Sequence, residues 1–525
     1  MARVKRTTPR RTAEAKELTA VARGGTLTLV GGVASGLLGL ALLVVAGRGL
    51  GAQRAGALFE AIAVFSLANT ALGADTGLVR LIPSYQIRGR GDQLRQLLLS
   101  ALVPPVVVGA VLGSLGFVFA PFLVHLFFRH GPEQEAVRYL RTMTPFLPAA
   151  MGMTVALAAN RGFGAMRPFV AVQNILVPVL RPILLGMAIL LGLGAVAVGL
   201  SWSAPFGLGL CLALFLVARL APTRVTAGGR AGGREAWREI FGEFWRFSGP
   251  QGVAAFLQVT LLWLDILLVG AYASTKAAGV YSVASRYILA GGYALQAVGL
   301  ALGPQLSRLL SQGRTEEAQA VFQVSTWWLM AVSWPVYVLM AVLSPLMLRP
   351  FGRGFVSGSG ALLVLSLAML VYIATGNNRT ALLMAGFSGW NLAIAAAQLA
   401  MNIAANILLI PRMGIDGAAV SWALTIIIGN LLINWVIWAK LRVNPLGSGF
   451  WFVAAAVAGV FAVPAIGFRV LAQPTLLSGS LFALVTVILY GLVLSFGRHI
   501  LRVDVFAGLI RQSTGRASRD DLSWL

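Results

Sequence analysis

Residues 26–47 read TLTLVGGVASGLLGLALLVVAG, and after one short charged turn residues 61–74 continue AIAVFSLANTALGA. Neither stretch contains an ionisable side chain. A run of about 20 apolar residues is what a helix needs to cross a hydrocarbon core of about 30 Å. In lipid every backbone amide must find its partner inside its own segment, so the expected structure is helical. Residues 361–375 and 392–409 repeat the pattern. These stretches make the chain an all-α integral membrane protein.

Composition extends that reading to the whole chain. Of 525 residues, 58% are apolar and 11% charged, with a mean hydropathy of +0.83. A soluble domain carries about 25% charged residues. About fourteen spans are predicted, at 25–47, 55–79, 97–120, 141–160, 168–191, 195–218, 247–271, 277–303, 320–347, 360–384, 388–410, 416–439, 450–471 and 476–496. Pro104 and Pro105 interrupt the third, and Pro145 and Pro148 the fourth; proline kinks a spanning helix without excluding it. The basic start of the chain is long, and no small-residue cleavage site follows it, so the first helix is read as a permanent span.

The net charge of +24 does not point to nucleic acid, because the basic residues fall in short loops between apolar spans. With both termini cytoplasmic, roughly 29 Lys and Arg lie inside against roughly 10 outside. The inner set includes Arg3, Lys5, Arg6, Arg80, Arg88, Arg90 and Arg95. Cys211 is alone and the histidines are His125, His130 and His499, which leaves no disulfide framework and no metal centre in view. No cofactor is expected.

One linker, 221–246, stands out through Gly228, Gly229, Gly232 and Gly233 among Arg and Glu. It divides the chain into a basic segment 1–24, a six-span unit 25–220, a second six-span unit 247–440, two further spans in 441–497 and a tail 498–525. The two units resemble each other. Asn160–Arg161 matches Asn378–Arg379, the turn from Gly47 to Gly56 matches Gly270 to Gly279, and Gly194 to Trp202 matches Gly414 to Trp422. The offsets are all about 220 residues, in order, which marks an internal duplication. Parallel repeats about an axis along the membrane normal are a transporter plan, with the substrate site between the halves. Duplication in a non-transporting scaffold is the alternative.

Several motifs resemble those of Wzx-type polysaccharide flippases, of the multidrug/oligosaccharidyl-lipid/polysaccharide exporter superfamily. They are Gly49-Leu50-Gly51 with Ala55-Gly56, Gly77-Leu78-Val79-Arg80, Phe351-Gly352-Arg353-Gly354-Phe355, and Asn402 and Asn406 leading to Ile410-Pro411 and Gly417-Ala418-Ala419. The resemblance covers about residues 20–500. It implies two pseudo-symmetric six-helix bundles around a central cavity, plus two C-terminal helices. It also implies a flippase that carries an undecaprenyl-pyrophosphate-linked oligosaccharide from the inner to the outer leaflet by alternating access.

Ionisable residues inside spans are the site candidates, because they are costly there and usually face a cavity or a partner. Arg286 lies about ten residues, roughly 14 Å, into the eighth span. Its guanidinium suits phosphate; the alternative is an ion pair with Asp265 on the neighbouring seventh span. Arg181 lies between Pro178 and Pro182 in the fifth span, facing either the cavity or freed carbonyls. Glu60 and Arg48 lie near the outer surface, as site residues or interfacial ones. Arg80 meets an incoming pyrophosphate or anchors its helix by snorkelling. Asn69, Gln258 and Tyr287 complete the candidate set as sugar contacts, with Trp263 as a further stacking surface. Asp265 or Glu60 would couple transport to protons or sodium. The partners expected are the lipid-linked oligosaccharide and membrane lipids, with no nucleic acid, and the protein is expected to be a monomer.

Two other functions stay open. A multidrug extruder of the same superfamily usually has acidic cation sites, whereas the first span here has no acidic residue. A membrane glycosyltransferase or polymerase needs an outer domain with paired carboxylates. The largest outer loop, 122–141, holds only Glu133 and Glu135.

Overall fold

The computed structural model describes residues 9–73, 75–220, 234–471, 476–497 and 500. All regular structure among them is helical. The first unit runs α1 (Pro9–Asn69), α2 (Asp75–Ile87), α3 (Leu94–Val118), α4 (Ala120–Phe127), α5 (Glu133–Met143) and α6 (Leu147–Gly162). It continues with α7 (Met166–Phe169), α8 (Val177–Leu190) and α9 (Gly194–Leu220). The second unit holds α10 (Arg234–Tyr272), α11 (Thr275–Arg286), α12 (Leu289–Ser311), α13 (Thr315–Val342) and α14 (Ser344–Leu348). After these come α15 (Ser359–Ala374), α16 (Asn378–Met384), α17 (Ser388–Met413) and α18 (Ile415–Leu441). The last helices are α19 (Ser448–Val457), α20 (Val463–Leu471) and α21 (Leu476–Phe496).

Among the described residues, 12 helical stretches are long and apolar enough to cross a membrane. The sequence reading expects about fourteen spans, and the difference arises at two places. The 40-residue stretch Val30–Asn69 covers the first two expected spans. It is divided at Gly51, whose φ of 74° and ψ of 169° are not helical. A side chain is strained at that φ, which explains the Gly49-Leu50-Gly51 turn. The eighth expected span is split between α11 and α12 just after Arg286, and neither piece is among these 12 stretches.

The second half of the expected linker 221–246 is helical. Residues 221–233 lie outside the described set, and from Arg234 onward the chain is already helix α10. The reason is amphipathic spacing. Ile240 and Phe244 are buried on one face at i, i+4. Trp245 Nε1 donates to the Ser100 carbonyl at 3.2 Å. Below the expected second span, the Tyr85 hydroxyl donates to Glu243 at 2.6 Å and Arg90 lies 3.7 Å from the same carboxylate. Burial and the Glu243 carboxylate push the Tyr85 phenol well above its ordinary range, so it remains a donor. The tail 498–525 lies outside the described residues except Ile500.

The internal repeat has a structural counterpart. Asn160 Nδ2 donates to the Ala213 carbonyl at 3.2 Å, and Asn378 Nδ2 to the Asn430 carbonyl at 3.2 Å. Each matched asparagine thus ties its helix, α6 or α16, to the last helix of its own unit. The arginines that follow diverge. Arg161 lies 3.4 Å from Asp75 and over the Phe169 ring, whereas Arg379 donates to Gln398 at 3.2 Å. The matched glycines of the other motif touch. A Cβ added to Gly279 would lie 2.8 Å from Gly56 Cα. The two units therefore meet at their repeat-related turns.

Within each unit, packing follows the chain. α6 packs on α3, α9 and α2, and α8 packs on α9 and α1. In the second unit α17 packs on α18, and α15 on α13 and α18. α1 packs on α11, α10 and α12, joining the units, and α10 also packs on α2 and α3. α19 and α20 lean on α13. Leu481, Leu484, Val485, Ile488 and Leu492 of α21 are exposed, as expected of a surface that faces lipid.

Candidate functional site: a cationic cavity between the two units

Where α1 meets the helices of both units lies a cavity of about 510 Å³. Val33, Leu37, Leu40 and Leu43 of α1 form its apolar floor, with Phe59 and Ile62 beyond the Gly51 break. Arg181 (α8) and Trp202 (α9) line it from the first unit, and Trp263 (α10), with Ser282 and Arg286 (α11), from the second. Tyr287 and Met340 complete it. No aspartate or glutamate is among the lining residues.

Each arginine is set by a local irregularity of its helix. Arg286 is the last residue of α11. A cation there is favoured by the unpaired carbonyls of the helix C-terminus. Arg181 lies in the second turn of α8, directly after a π-helical stretch, Val170–Leu176. Such widened turns recur at functional sites.

Each arginine also lies on a tryptophan. The Arg286 guanidinium is 3.9 Å from the Trp263 ring centre. The Arg181 guanidinium is 3.5 Å from the Trp202 ring centre and 4.7 Å from that of Phe206. Arg181 Nε donates to the Trp202 carbonyl at 3.2 Å. Desolvated cation–π contacts of this kind are worth about 2 kcal/mol, which offsets part of the cost of an arginine at this depth, about 2.5–3.5 kcal/mol on insertion scales. Tyr287 is fixed differently: its hydroxyl donates to the Met347 carbonyl at 2.7 Å, and its ring meets Phe351 edge-on at 6.1 Å.

Arg286, Arg181 and Tyr287 thus come together on one cavity. The other expected residues do not line it. Asp265 is buried and accepts from Asn406 Nδ2 at 2.8 Å and from the Tyr281 hydroxyl at 3.2 Å. Asn406 Nδ2 also reaches the Asn402 carbonyl at 2.9 Å and Asn402 Oδ1 at 3.1 Å, so the second asparagine of the sequence signature serves this carboxylate and the first steadies the second. Glu60 is fully buried. It lies against Gly270, where an added Cβ would come within 2.0 Å of its Oε1. Arg48 is exposed, and its Nε donates to the Pro350 carbonyl at 2.7 Å, joining the first unit to the Phe351–Phe355 element. Arg80 is exposed with its guanidinium 4.2 Å from the Phe247 ring centre. Asn69 is half-buried and Gln258 exposed.

Two lining residues escape the sequence reading. Ser282 stands four residues before Arg286 and so on the same helix face, a spacing that was available as a signal. Trp202 belongs to the Gly194–Trp202 repeat motif, but nothing in the sequence pairs it with Arg181. Among the described residues no cluster of three or more His, Cys, Asp or Glu could hold a metal ion.

A family model described as Polysaccharide biosynthesis protein matches residues 21–310, more than half of the 525-residue chain. The chain belongs to that family. A MatE model matches residues 250–382. The structure of "Lipid II flippase MurJ, inward closed conformation" superposes with a TM-score of 0.72 at 15% identity, covering 90% of this chain and 98% of that one. An inward-facing multidrug resistance MATE family transporter of the MOP superfamily superposes with a TM-score of 0.64 at 13% identity, covering 78% and 94%. The probable low-salt glycan biosynthesis flippase Agl15 of Haloferax volcanii is 26% identical over 174 residues. That match spans 32% of this chain and 36% of the relative, about a third of its length. The resemblance to Wzx-type flippases read from the motifs holds, and the chain is a multi-pass membrane protein with the fold of MOP-superfamily transporters.

Proposed function

We propose that this protein is a flippase for a lipid-linked oligosaccharide of the undecaprenyl-pyrophosphate type. It moves the anionic head from the inner to the outer leaflet by alternating access, while the lipid tail stays in the bilayer. The observation that carries this reading is the cavity: an arginine from each unit lines it, and no carboxylate does. Guanidinium groups match phosphate oxygens in geometry and charge. A dry, apolar wall strengthens the attraction. The family match and the flippases among the similar proteins support the same cargo.

Arg286 is assigned to the diphosphate, with Ser282 beside it. Both termini are placed in the cytoplasm, following the distribution of Lys and Arg. Asp265, held by Asn406 and Tyr281, is assigned to coupling with a proton or sodium gradient. Collapsing each gradient in proteoliposomes tests that assignment: transport falls for the coupling ion, and indifference to both refutes it. A cationic drug, the cargo of a multidrug extruder, would meet two positive charges in this cavity and no negative one, which disfavours that alternative.

The assignment of Arg286 is tested in cells that depend on this protein for surface glycan. Arg286→Gln is expected to lower surface glycan by about tenfold or more, the scale of losing one charged hydrogen-bonded contact. Immunoblotting should show the variant in the membrane at the normal level. Normal surface glycan with Arg286→Gln would refute the role of Arg286.

A further inference from the structure

Arg286 and Ser282 supply the second unit's donors to the cavity. The first unit carries another set that a diphosphate held by Arg286 leaves unused. The contacts of Arg181 with Trp202 and Phe206 orient its guanidinium, yet its Nη2 is buried with no hydrogen-bond partner. Trp202 Nε1 is also buried with no partner. Both residues line the cavity. An orphaned donor in a dry wall is costly, and a charged one more so. Native proteins retain such groups where a ligand satisfies them, and two N–H donors without a nearby carboxylate suit an oxyanion.

The two arginines are two binding points and not one fork. α8, which carries Arg181, and α11, which carries Arg286, both pack on α1. α8 packs on α9 and α11 on α10, so each anchor stands among the helices of its own unit. Each guanidinium is also held on its own tryptophan, Trp202 on α9 and Trp263 on α10. A cargo that satisfies both points carries two separated anionic groups.

We propose that Arg181 and Trp202 form a second anion subsite that binds a negatively charged substituent of the glycan itself, so that the cargo is an acidic lipid-linked glycan. This rests on the cavity being the headgroup site and adds the chemistry of the sugar next to the diphosphate. The substituent is a carboxylate, as on a uronic acid, or a phosphate ester; both present oxyanions to the same N–H donors.

The test is calorimetric binding of three soluble probes to the purified full-length protein: glucose 1-phosphate, glucuronate 1-phosphate and glucose 1,6-bisphosphate. One or both of the doubly anionic probes should bind about tenfold more tightly than glucose 1-phosphate, and the tighter of the two identifies the substituent. Arg181→Gln should erase that preference, so that all three probes bind with similar affinity. Trp202→Phe keeps a ring beneath the guanidinium but removes the N–H, and should reduce the preference in the same way. Arg286→Gln should weaken all three probes. The proposal is overturned if the wild type shows no preference, if it binds none of the probes, or if Arg181→Gln and Trp202→Phe weaken every probe equally. Should Arg181→Gln fail to fold, as judged by thermal unfolding, Trp202→Phe decides. Retained probe preference in a protein that moves no lipid-linked glycan would count against the flippase reading and not against this subsite.

Discussion

Asp265 shows how much a single residue's role depends on its neighbours. The sequence marked it as an intramembrane carboxylate and set Arg286 as a candidate partner, because the seventh and eighth spans are adjacent. In the structure its hydrogen bonds come from Asn406 on α17 and Tyr281 on α11, while Arg286 lies over Trp263. The Asn402 and Asn406 spacing was legible as one helix face. What that face meets depends on how α17 rotates against α10, which local spacing does not encode. Arg286 and Arg181 were legible because an arginine at mid-span has few structural excuses. Trp202 was hidden, since a tryptophan in a span is most often packing or part of the interfacial belt. Removing the Asn406 donor strands part of a buried carboxylate. Asn406→Ala is therefore expected to cost about 1–3 kcal/mol, read as a lower thermal unfolding temperature in detergent. An unchanged unfolding temperature would show that the carboxylate does not depend on Asn406.

Whole helices were easier to read than their interruptions. Apolar runs of spanning length gave nearly every long helix, because lipid leaves the backbone no other way to satisfy its amides. The division of α1 at Gly51 was legible as the turn between two spans, because Arg48 and Arg54 flank it; the split between α11 and α12 was not, because it carries no proline and only one charge, Arg286, so hydropathy ran through it. Those breaks shape the cavity. The first and second halves of α1 both line it, and Arg286 ends α11 beside it. The start of α10 was missed for a related reason: its charged residues read as a linker, although Ile240 and Phe244 bury one face. At the contact between units, Gly56 faces Gly279 and the backbone of Thr275. A Cβ on Gly56 would come within 2.0 Å of the Thr275 carbonyl oxygen, and backbone cannot yield as a side-chain tip can. Gly56→Val is expected to prise this contact apart. A cysteine introduced at Leu37, in a Cys211→Ala background, should then react several-fold faster with an impermeant thiol reagent added outside. An unaltered labelling rate would mean that the Gly56 contact does not close the cavity from that side.

At the scale of the molecule, duplication was the most informative feature of the sequence. Three matched motifs with a common offset predicted two similar units, and the paired Asn160 and Asn378 hydrogen bonds and the touching Gly56 and Gly279 are its physical counterparts. The units are alike in scaffold and unlike in charge. Arg161 lies against Asp75 while Arg379 meets an amide, and the cavity arginines come from α8 and α11, which are not repeat mates. Symmetry thus positions the cavity, and departures from symmetry set its charge. The same distribution of charge underlies the orientation. If both termini are cytoplasmic, an epitope at either end should be reachable only after the cell membrane is opened; staining of intact cells at either end would refute it. The central claim is that the cationic cavity carries a lipid-linked anionic head across the bilayer. Its most direct test is reconstitution of purified protein into vesicles with a fluorescent diphosphate-linked polyprenyl glycan, scored by leaflet-specific chemical quenching. The wild type should expose the glycan on the opposite leaflet at least about tenfold faster than protein-free vesicles, and Arg286→Gln should return the rate to that background. Equal rates for wild type, Arg286→Gln and empty vesicles would contradict the account.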